Sequence, residues 1–287
     1  MQLCTRHRTH YRYIGHSSAS HNEIRLKPVT NEEQRCLQYK VSISPKTSVY
    51  EYETIGGFVN HFAVNEPHSE LDVIAESIVE TASRNPFETL DLVSMDMEWY
   101  DDPVRQQRYS EFLFESPYIQ LLPESAQYSV DVMAMSPGNA ATFLLNLKTM
   151  IFENFTYQPN LTNVHTLLHE VIAFKAGVCQ DFSHLMIACC RQMGIPARYV
   201  SGYLYLGDHH ELRGTEATHA WIEALMPNGD WVGVDPTNNI LVDDRYIKVH
   251  VGRDYSDVTP VKGIYTGFGT EEMTVTVAVE AVATERN

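Results

Sequence analysis

The sequence has no long apolar run and few basic residues for its length. No stretch approaches the roughly 18 apolar residues of a membrane-spanning helix. Lys and Arg together number 21 against 37 Asp and Glu, which gives a formal net charge of −16. Because nucleic acids and anionic membrane surfaces bind basic patches, we expect neither as a partner.

Cysteine is also scarce, with five residues, an odd number for a disulfide framework, so we expect reduced thiols. The N-terminal sequence MQLCTRHRTHYRY has basic residues but no apolar segment after them, so we expect no signal peptide and a cytoplasmic location. Neither a P-loop nor a calcium-loop pattern occurs, and no cofactor is expected.

The hydrophobic pattern divides the chain into two predicted regions. Residues 1–85 hold short runs rich in Val, Ile, Tyr and Phe between turn residues, which predicts an N-terminal all-β module, sandwich-like or a partly open barrel. Residues 86–287 begin with helical periodicity and continue with strands, which predicts an α+β domain. Four helices are predicted, over residues 102–116, 136–155, 163–176 (closed by Gly177) and 179–194.

Cys179 is the strongest candidate for a catalytic nucleophile. Gly177 permits a sharp turn, and Cys179 then falls in the first turn of a predicted helix, where the helix dipole and unpaired N–H groups stabilise a thiolate. The same N–H groups can donate to an oxyanion after attack on a carbonyl. The alternative is that Cys179 is a small buried hydrophobe. Asp181 is either an ordinary acidic residue of a first turn or a charge that positions the site.

The other two cysteines of this helix have a simpler interpretation. Cys189 and Cys190 lie on or beside the apolar face that carries Leu185 and Met186, so we predict that they pack in the core. Adjacent cysteines lack the C-x-x-C spacing of a metal or redox pair. A zinc site that combines them with Cys179 is the weaker alternative.

A thiolate nucleophile requires a histidine base and a third group that orients it. Most of the 13 histidines are scattered. His165 and His169 are four residues apart, but they lack the H-E-x-x-H pattern and a third ligand, so no metal site is predicted. His219 begins a predicted strand–turn–strand unit, and Asp235 ends its second strand, as a Cys–His–Asp triad requires.

The register of this hairpin decides whether His219 and Asp235 can meet. A symmetric turn at Asn228-Gly229 pairs Asp235 with Ile222, three residues from His219, which is about 10 Å along a strand. That separation is too large for a hydrogen bond. The triad therefore predicts extra loop residues or a bulge at or near residues 230–231.

Three segments resemble the bacterial transglutaminase-like family of cysteine proteases: GVCQDFSHLMIACCRQMGIPARYVSGYL, THAWIEALMPNGDWVGVDPTNN and VGRDYSDVTPVKGIYTG. The early residues, including PHSELDV, resemble the β region that accompanies this core. The resemblance implies a papain-like core in which a nucleophile helix packs on an antiparallel sheet. It assigns Cys179 as nucleophile, His219 as base and Asp235 as orienting acid.

The resemblance leaves supporting residues open. Papain-like enzymes place a glutamine six residues before the nucleophile as a second oxyanion donor, but this chain has Ala173 there. Tyr157 and His184 are candidates for that donor. In GRDYSDV, Asp254 and Tyr255 either line the active-site cleft or form a turn at the end of a strand, where Asp254 would be solvated.

The implied activity is cysteine-dependent acyl transfer, in which a peptide or carboxamide bond is hydrolysed through a thioester without a metal or other cofactor. A peptide or protein amide is the implied partner. A protein-glutamine transglutaminase, with an amine acceptor, and a non-catalytic binding module on the same fold are the alternatives.

Overall fold

The computed structural model describes the chain apart from residues 84, 86, 88–89, 91–94, 208, 210–211, 215–216, 268–270 and 283–287. Among the helices of the described part, none is long and apolar enough to cross a membrane.

The first region forms strands, as predicted. They are β1 (Gln2–Ile24), β2 (Gln34–Ser44), β3 (Val49–Thr54), β4 (Gly57–Val64) and β5 (His68–Thr81). They lie in one antiparallel sheet of order β2-β5-β1-β4-β3. Its buried face combines an apolar cluster around Phe62 and Leu71 with polar side chains, such as those of Thr5 and Asn22.

The second region contains helices followed by mainly antiparallel strands. Its helices are α1 (Pro103–Arg108), α2 (Pro123–Ala134), α3 (Ala140–Asn154), α4 (Leu168–Phe174), α5 (Cys179–Gln192) and α6 (Tyr255–Val258), with short 3₁₀ turns at Met97–Asp101 and Ser110–Phe112. Its strands are β6 (Thr156–Tyr157), β7 (Ala176–Gly177), β8 (Ala197–Leu204), β9 (His219–Leu225), β10 (Trp231–Asp235), β11 (Ile240–Leu241), β12 (Tyr246–Gly252), β13 (Val261–Gly267) and β14 (Glu271–Ala281).

The core of this region is an antiparallel sheet covered by α5. The sheet has the order β11-β10-β9-β8-β12, and α5 packs on β8 and β9. Every residue of α5 from Gln180 to Arg191 is buried. A helix on one face of an antiparallel sheet confirms the predicted α+β class.

The last two strands join the N-terminal sheet rather than the core sheet. Residues 3–12 of β1 lie between β5 and β14, and residues 20–24 lie between β4 and β13. The N-terminal sheet therefore contains segments from both ends of the sequence. It contacts the core sheet where Leu3 and Val79 pack against Tyr203 and Ile247.

Two predicted helices are shorter in the structure, and one helix was not predicted. The helix predicted over 163–176 spans only Leu168–Phe174, and it ends at Lys175 in the left-handed conformation (φ 48°), not at Gly177. The physical reason is that Ala176–Gly177 pairs in parallel with Thr156–Tyr157. The helix predicted over 102–116 is reduced to α1 and a 3₁₀ turn, and α2 was not predicted.

Candidate active site

The turn before Cys179 is held by Asp181. One oxygen of this buried carboxylate, Oδ2, accepts hydrogen bonds from the Val178 N–H at 2.8 Å and from the Thr162 hydroxyl at 2.6 Å. Burial, the strongest influence, raises the pKa of Asp181, and these two bonds partly oppose it. A Cβ on Gly177 would lie 2.6 Å from the same oxygen, so only glycine fits there. Asp181 thus fixes the start of α5, where Cys179 is the first residue.

Asp181→Ala should destabilise the protein by about 1–3 kcal/mol, because the Val178 N–H and the Thr162 hydroxyl lose their acceptor in a buried turn. It should also slow alkylation of Cys179 at pH 7. Urea unfolding and mass spectrometry after iodoacetamide treatment measure the two effects.

The matched control is Asp102→Ala, because Asp102 caps α1 by accepting from the Val104 N–H at 2.9 Å. It should cost about 1 kcal/mol and leave alkylation unchanged; equal alkylation in both variants would contradict the role given to Asp181.

Asp235 lies behind His219 in a closed hydrogen-bond network. Its Oδ2 accepts from His219 Nε2 at 2.8 Å, Asn238 Nδ2 at 2.8 Å and the Tyr246 hydroxyl at 2.7 Å. Its Oδ1 accepts from the backbone N–H groups of Thr237 and Asn238. Burial alone raises the pKa of Asp235, but His219 and the hydrogen bonds outweigh it and hold this pKa below its usual range. The carboxylate is therefore charged and its orientation is fixed.

The other nitrogen of His219, Nδ1, lies on the side of Cys179. A Cβ on Gly214 would lie 2.6 Å from this Nδ1 and 3.6 Å from the Cys179 Cβ, so the Gly214 backbone covers both side chains. Nδ1 is fully buried, and the Cys179 side chain is close enough to interact with the imidazole. Burial lowers the pKa of His219, but Asp235 and then Cys179 outweigh it and raise this pKa to about 10. At neutral pH the buried imidazole is therefore protonated.

The hairpin that joins His219 to Asp235 is asymmetric, which confirms the register prediction. The structure pairs Val234, and not Asp235, with Ile222. Residues 227–229 form a three-residue loop, one residue longer than the symmetric turn. Because side chains alternate along a strand, this one-residue shift brings Asp235 to the face that carries His219.

Asn238 connects this network to the segment that covers Cys179, and the sequence analysis did not identify it. Its side chain donates to Asp235, accepts from the Arg213 N–H at 2.7 Å and donates to the Arg213 carbonyl at 3.2 Å. Gly214 follows directly. The polar sequence DPTNN after the second strand was the available signal for Asn238. Tyr246 had no local signal, because its partner is on another strand.

Tyr157 lies beside α5, whereas His184 is a residue of that helix. Tyr157 belongs to β6, next to Gly177 of β7, and its ring contacts Phe182 edge-on at 6.5 Å. His184 is buried, stacks on Tyr118 at 5.5 Å, and its Nε2 accepts from a backbone N–H at 3.3 Å. Burial lowers the pKa of His184 to about 4, so its imidazole is neutral.

Asp254 and Tyr255 form the start of α6. Asp254 is fully buried, and it accepts from the backbone N–H groups of Ser256 and Tyr118. It is therefore not a solvated acid, and it ties α6 to the loop before α2. Tyr255 donates its backbone N–H to His184, and its side chain is partly buried.

Cys189 and Cys190 of α5 are fully buried in the hydrophobic core, which confirms the prediction that they pack there. Burial raises the pKa of the Cys189 thiol to about 12 and that of Cys190 well above its usual range. Over the ranges that the structure describes, no group of three His, Cys, Asp or Glu side chains could hold a metal ion.

A cysteine at the start of a buried helix, followed in sequence by a histidine and an aspartate on an antiparallel sheet, defines the papain-like α+β class. Two family models match the chain: the transglutaminase-like superfamily core over residues 128–236 and the bacterial transglutaminase-like N-terminal region over residues 3–80. The chain belongs to the transglutaminase-like superfamily, with its bacterial N-terminal region.

Proteins of similar length in two mycobacteria are related to this chain over almost all of its sequence. An uncharacterized protein of Mycobacterium leprae is 35% identical, over 96% of this chain and 98% of the relative. One of Mycobacterium tuberculosis is 32% identical, over 97% and 92%. A solved structure from Cytophaga hutchinsonii, named "putative cysteine protease", is 22% identical with a TM-score of 0.76, over 100% of this chain and 92% of that one, which shows the same fold.

Proposed function

We propose that this protein is a cysteine-dependent acyl-transfer enzyme that hydrolyses peptide or carboxamide bonds through a thioester. Cys179 is the nucleophile, His219 the acid and base, and Asp235 the group that orients His219. The main support is the position of the His219 ring, with Nε2 bound to Asp235 at 2.8 Å and Nδ1 on the side of Cys179.

The protonation of His219 fits the first step. With a pKa near 10, this imidazolium can stabilise a thiolate on Cys179 at neutral pH. The thiolate attacks the amide carbonyl, and the Cys179 N–H at the start of α5 donates to the oxyanion. His219 then protonates the leaving amine as the C–N bond breaks, which leaves a thioester and a neutral imidazole.

The second step returns the enzyme to its starting state. Neutral His219 takes a proton from water, and the hydroxide adds to the thioester carbonyl. The C–S bond then breaks to release the thiolate and a carboxylic acid, which loses its proton to the solvent. Asp235 keeps Nδ1 aimed at these atoms because its own oxygens are held by Asn238 and Tyr246.

An amine in place of water is the second candidate. A protein-glutamine gamma-glutamyltransferase of Pseudomonas aeruginosa is 30% identical over 90 residues, which cover 30% of this chain and 14% of that protein. In that reaction a primary amine attacks the same thioester and a new amide forms.

The nucleophile is tested by alkylation with iodoacetamide between pH 5 and pH 9. We expect Cys179 to react at pH 6 at least about ten times faster than a free thiol, which has an ordinary pKa near 8.5. The buried Cys189 and Cys190 should stay unmodified and serve as internal controls. The full-length protein is then screened against peptide amides, with and without dansylcadaverine as the amine, beside Cys179→Ala.

The results separate the candidates. Cleavage that Cys179→Ala lacks supports hydrolysis, and dansyl incorporation that exceeds cleavage supports the transferase. Two results together would contradict the proposal: Cys179 is alkylated at the rate of a free thiol, and wild type and Cys179→Ala do not differ on any amide. The protein would then be better described as a non-catalytic binding module.

A further inference from the structure

A cleft of about 460 Å³ lies between the N-terminal sheet and the core, outside the Cys179–His219–Asp235 network. Its volume is in the range of ligand-binding pockets. The rings of Tyr11, Tyr13 and Tyr265 line it from the N-terminal sheet, and those of Tyr118 and Tyr255 line it from the core. Both regions of the chain are therefore needed to form it.

The aromatic walls are preformed. Ring centroids of Tyr13 and Tyr265 are 5.0 Å apart, and those of Tyr11 and Tyr13 are 6.4 Å apart. On the opposite wall Tyr118 and Tyr255 meet edge-on at 6.1 Å. These are ordinary separations for packed aromatic pairs, so each wall is already ordered before anything binds.

One wall of the cleft is hydrogen-bonded to the residue that follows the nucleophile. Val164 lines it, and the Val164 carbonyl accepts a hydrogen bond from the Gln180 side chain at 3.1 Å. Gln180 directly follows Cys179 at the start of α5. On the same wall, Tyr255 donates its backbone N–H to His184 of α5. The helix that carries the nucleophile thus also supports one wall of the cleft.

The charge of the cleft differs from that of the whole protein. The chain has a net charge of −16, yet the described residues that line the cleft include no carboxylate. Their one permanent charge is Lys262, an exposed residue of β13. An aromatic side chain meets ordered rings in this cleft, a carboxylate loses solvation among them, and a cationic side chain also meets the Lys262 ammonium.

We infer that this cleft binds an aromatic side chain of the peptide substrate whose carbonyl reaches Cys179. The inference rests on the proposed function, since it assigns the substrate class of the same site. A cleft whose wall is hydrogen-bonded to α5 next to the nucleophile can select among peptides by the residue near the reacting carbonyl. Tyrosine walls favour aromatic residues at that position.

The test uses peptides that alkylate Cys179, so no natural substrate is needed. Iodoacetyl-Gly-Phe-amide, the analogues with Asp or Lys in place of Phe, and the same three with one further glycine are reacted with the full-length protein. The thiolate displaces iodide and a C–S bond forms. At one of the two lengths, the Phe probe should label Cys179 at least about ten times faster than the Asp and Lys probes.

Met273→Asp places a carboxylate in the cleft and should reduce this preference to near parity. Met273 lines the cleft and is 57% exposed, so the substitution does not disturb a buried contact. Met135→Asp, at a residue that is 61% exposed and outside the cleft lining, should keep the full preference. Unmodified iodoacetamide should react equally with all three proteins.

Equal wild-type rates for the Phe, Asp and Lys probes, a faster Lys probe, or a preference that survives Met273→Asp would overturn the inference. A separate measurement distinguishes it from failure of the proposed function. N-acetyl-phenylalaninamide is titrated into Cys179→Ala and followed by NMR. If Cys179→Ala binds the amide saturably, Met273→Asp removes this binding and Cys179 is unreactive in the wild type, then only the role of Cys179 as nucleophile is refuted. If there is no binding, the assignment of the cleft as an aromatic-binding site is refuted.

Discussion

Gly214→Ala should slow the alkylation of Cys179 by about 100-fold. The new Cβ would lie 2.6 Å from His219 Nδ1 and 3.0 Å from its Cε1, so either the imidazole or the backbone at residue 214 must move. A displacement of about 1 Å in a reacting pair commonly costs two orders of magnitude in rate. The rate constant for iodoacetamide at pH 7, measured by mass spectrometry at Cys179, gives the effect.

The substitution has a matched control elsewhere in the chain. Gly214 has φ +81° and Gly229 has φ +92°, but a Cβ on Gly229 meets nothing within 4 Å. Both alanine variants should lose about 1–2 kcal/mol of stability from the left-handed backbone. Gly229→Ala should alkylate like wild type. If Gly214→Ala also does so, the backbone of residue 214 does not cover the thiol and imidazole as described.

Asp235→Asn should lower the free energy of unfolding by about 3–5 kcal/mol at pH 6, because it removes one partner of a buried ion pair. Asparagine offers one acceptor oxygen and two N–H donors, whereas Asp235 accepts five hydrogen bonds from four residues. An amide N–H group must then face another donor. Urea unfolding of both proteins at pH 6 and pH 9 measures the loss.

The size of this loss should depend on pH in a defined direction. The folded pKa of His219 is raised from 6.5 to about 10, so the stability from its protonation is complete below pH 6.5 and is lost as the pH rises toward 10. The folded pKa of Asp235 is lowered from 3.8, so its contribution is present above pH 3.8 and is lost on further acidification. The difference between wild type and Asp235→Asn should therefore be greatest between about pH 4 and 6.5.

Asp243→Asn is the control, since Asp243 pairs with Arg245 at a partly exposed position, whereas the Asp235–His219 pair is fully buried. Its cost should be about 0–1 kcal/mol. A loss for Asp235→Asn that is equal at pH 6 and pH 9 would show that His219 carries no proton in the folded protein.

Local patterns were sufficient for the helix and the hairpin that carry the site. The glycine before Cys179, the apolar face of 179–194 and the closing Gly194 are all short-range signals, and α5 begins at Cys179 as predicted. The hairpin register could also be tested by counting residues. A symmetric turn placed Asp235 opposite Ile222, and the requirement that it meet His219 predicted the added loop residue that the structure contains.

Contacts between distant segments were beyond the reach of the sequence. Tyr246 reaches Asp235 from another strand, and Gly214 approaches His219 from a loop to which the sequence analysis gave no role. The shortened α4 has the same origin, because pairing of residues 176–177 with 156–157 overrides helical periodicity. The segment of β14 was predicted as a strand and that of β13 was not, and nothing in either sequence indicated that β1 is their partner.

The pairing of β14 with β1 sets an order on folding during synthesis. Leu3 pairs with Ala281, so one edge of β1 has no partner until β14 has left the ribosome, after the whole core sheet has been synthesised. Until then, the backbone N–H and C=O groups of that edge can pair with any other exposed strand, including that of another nascent chain. The N-terminal sheet, although it is synthesised first, is therefore among the last parts of the protein to be completed.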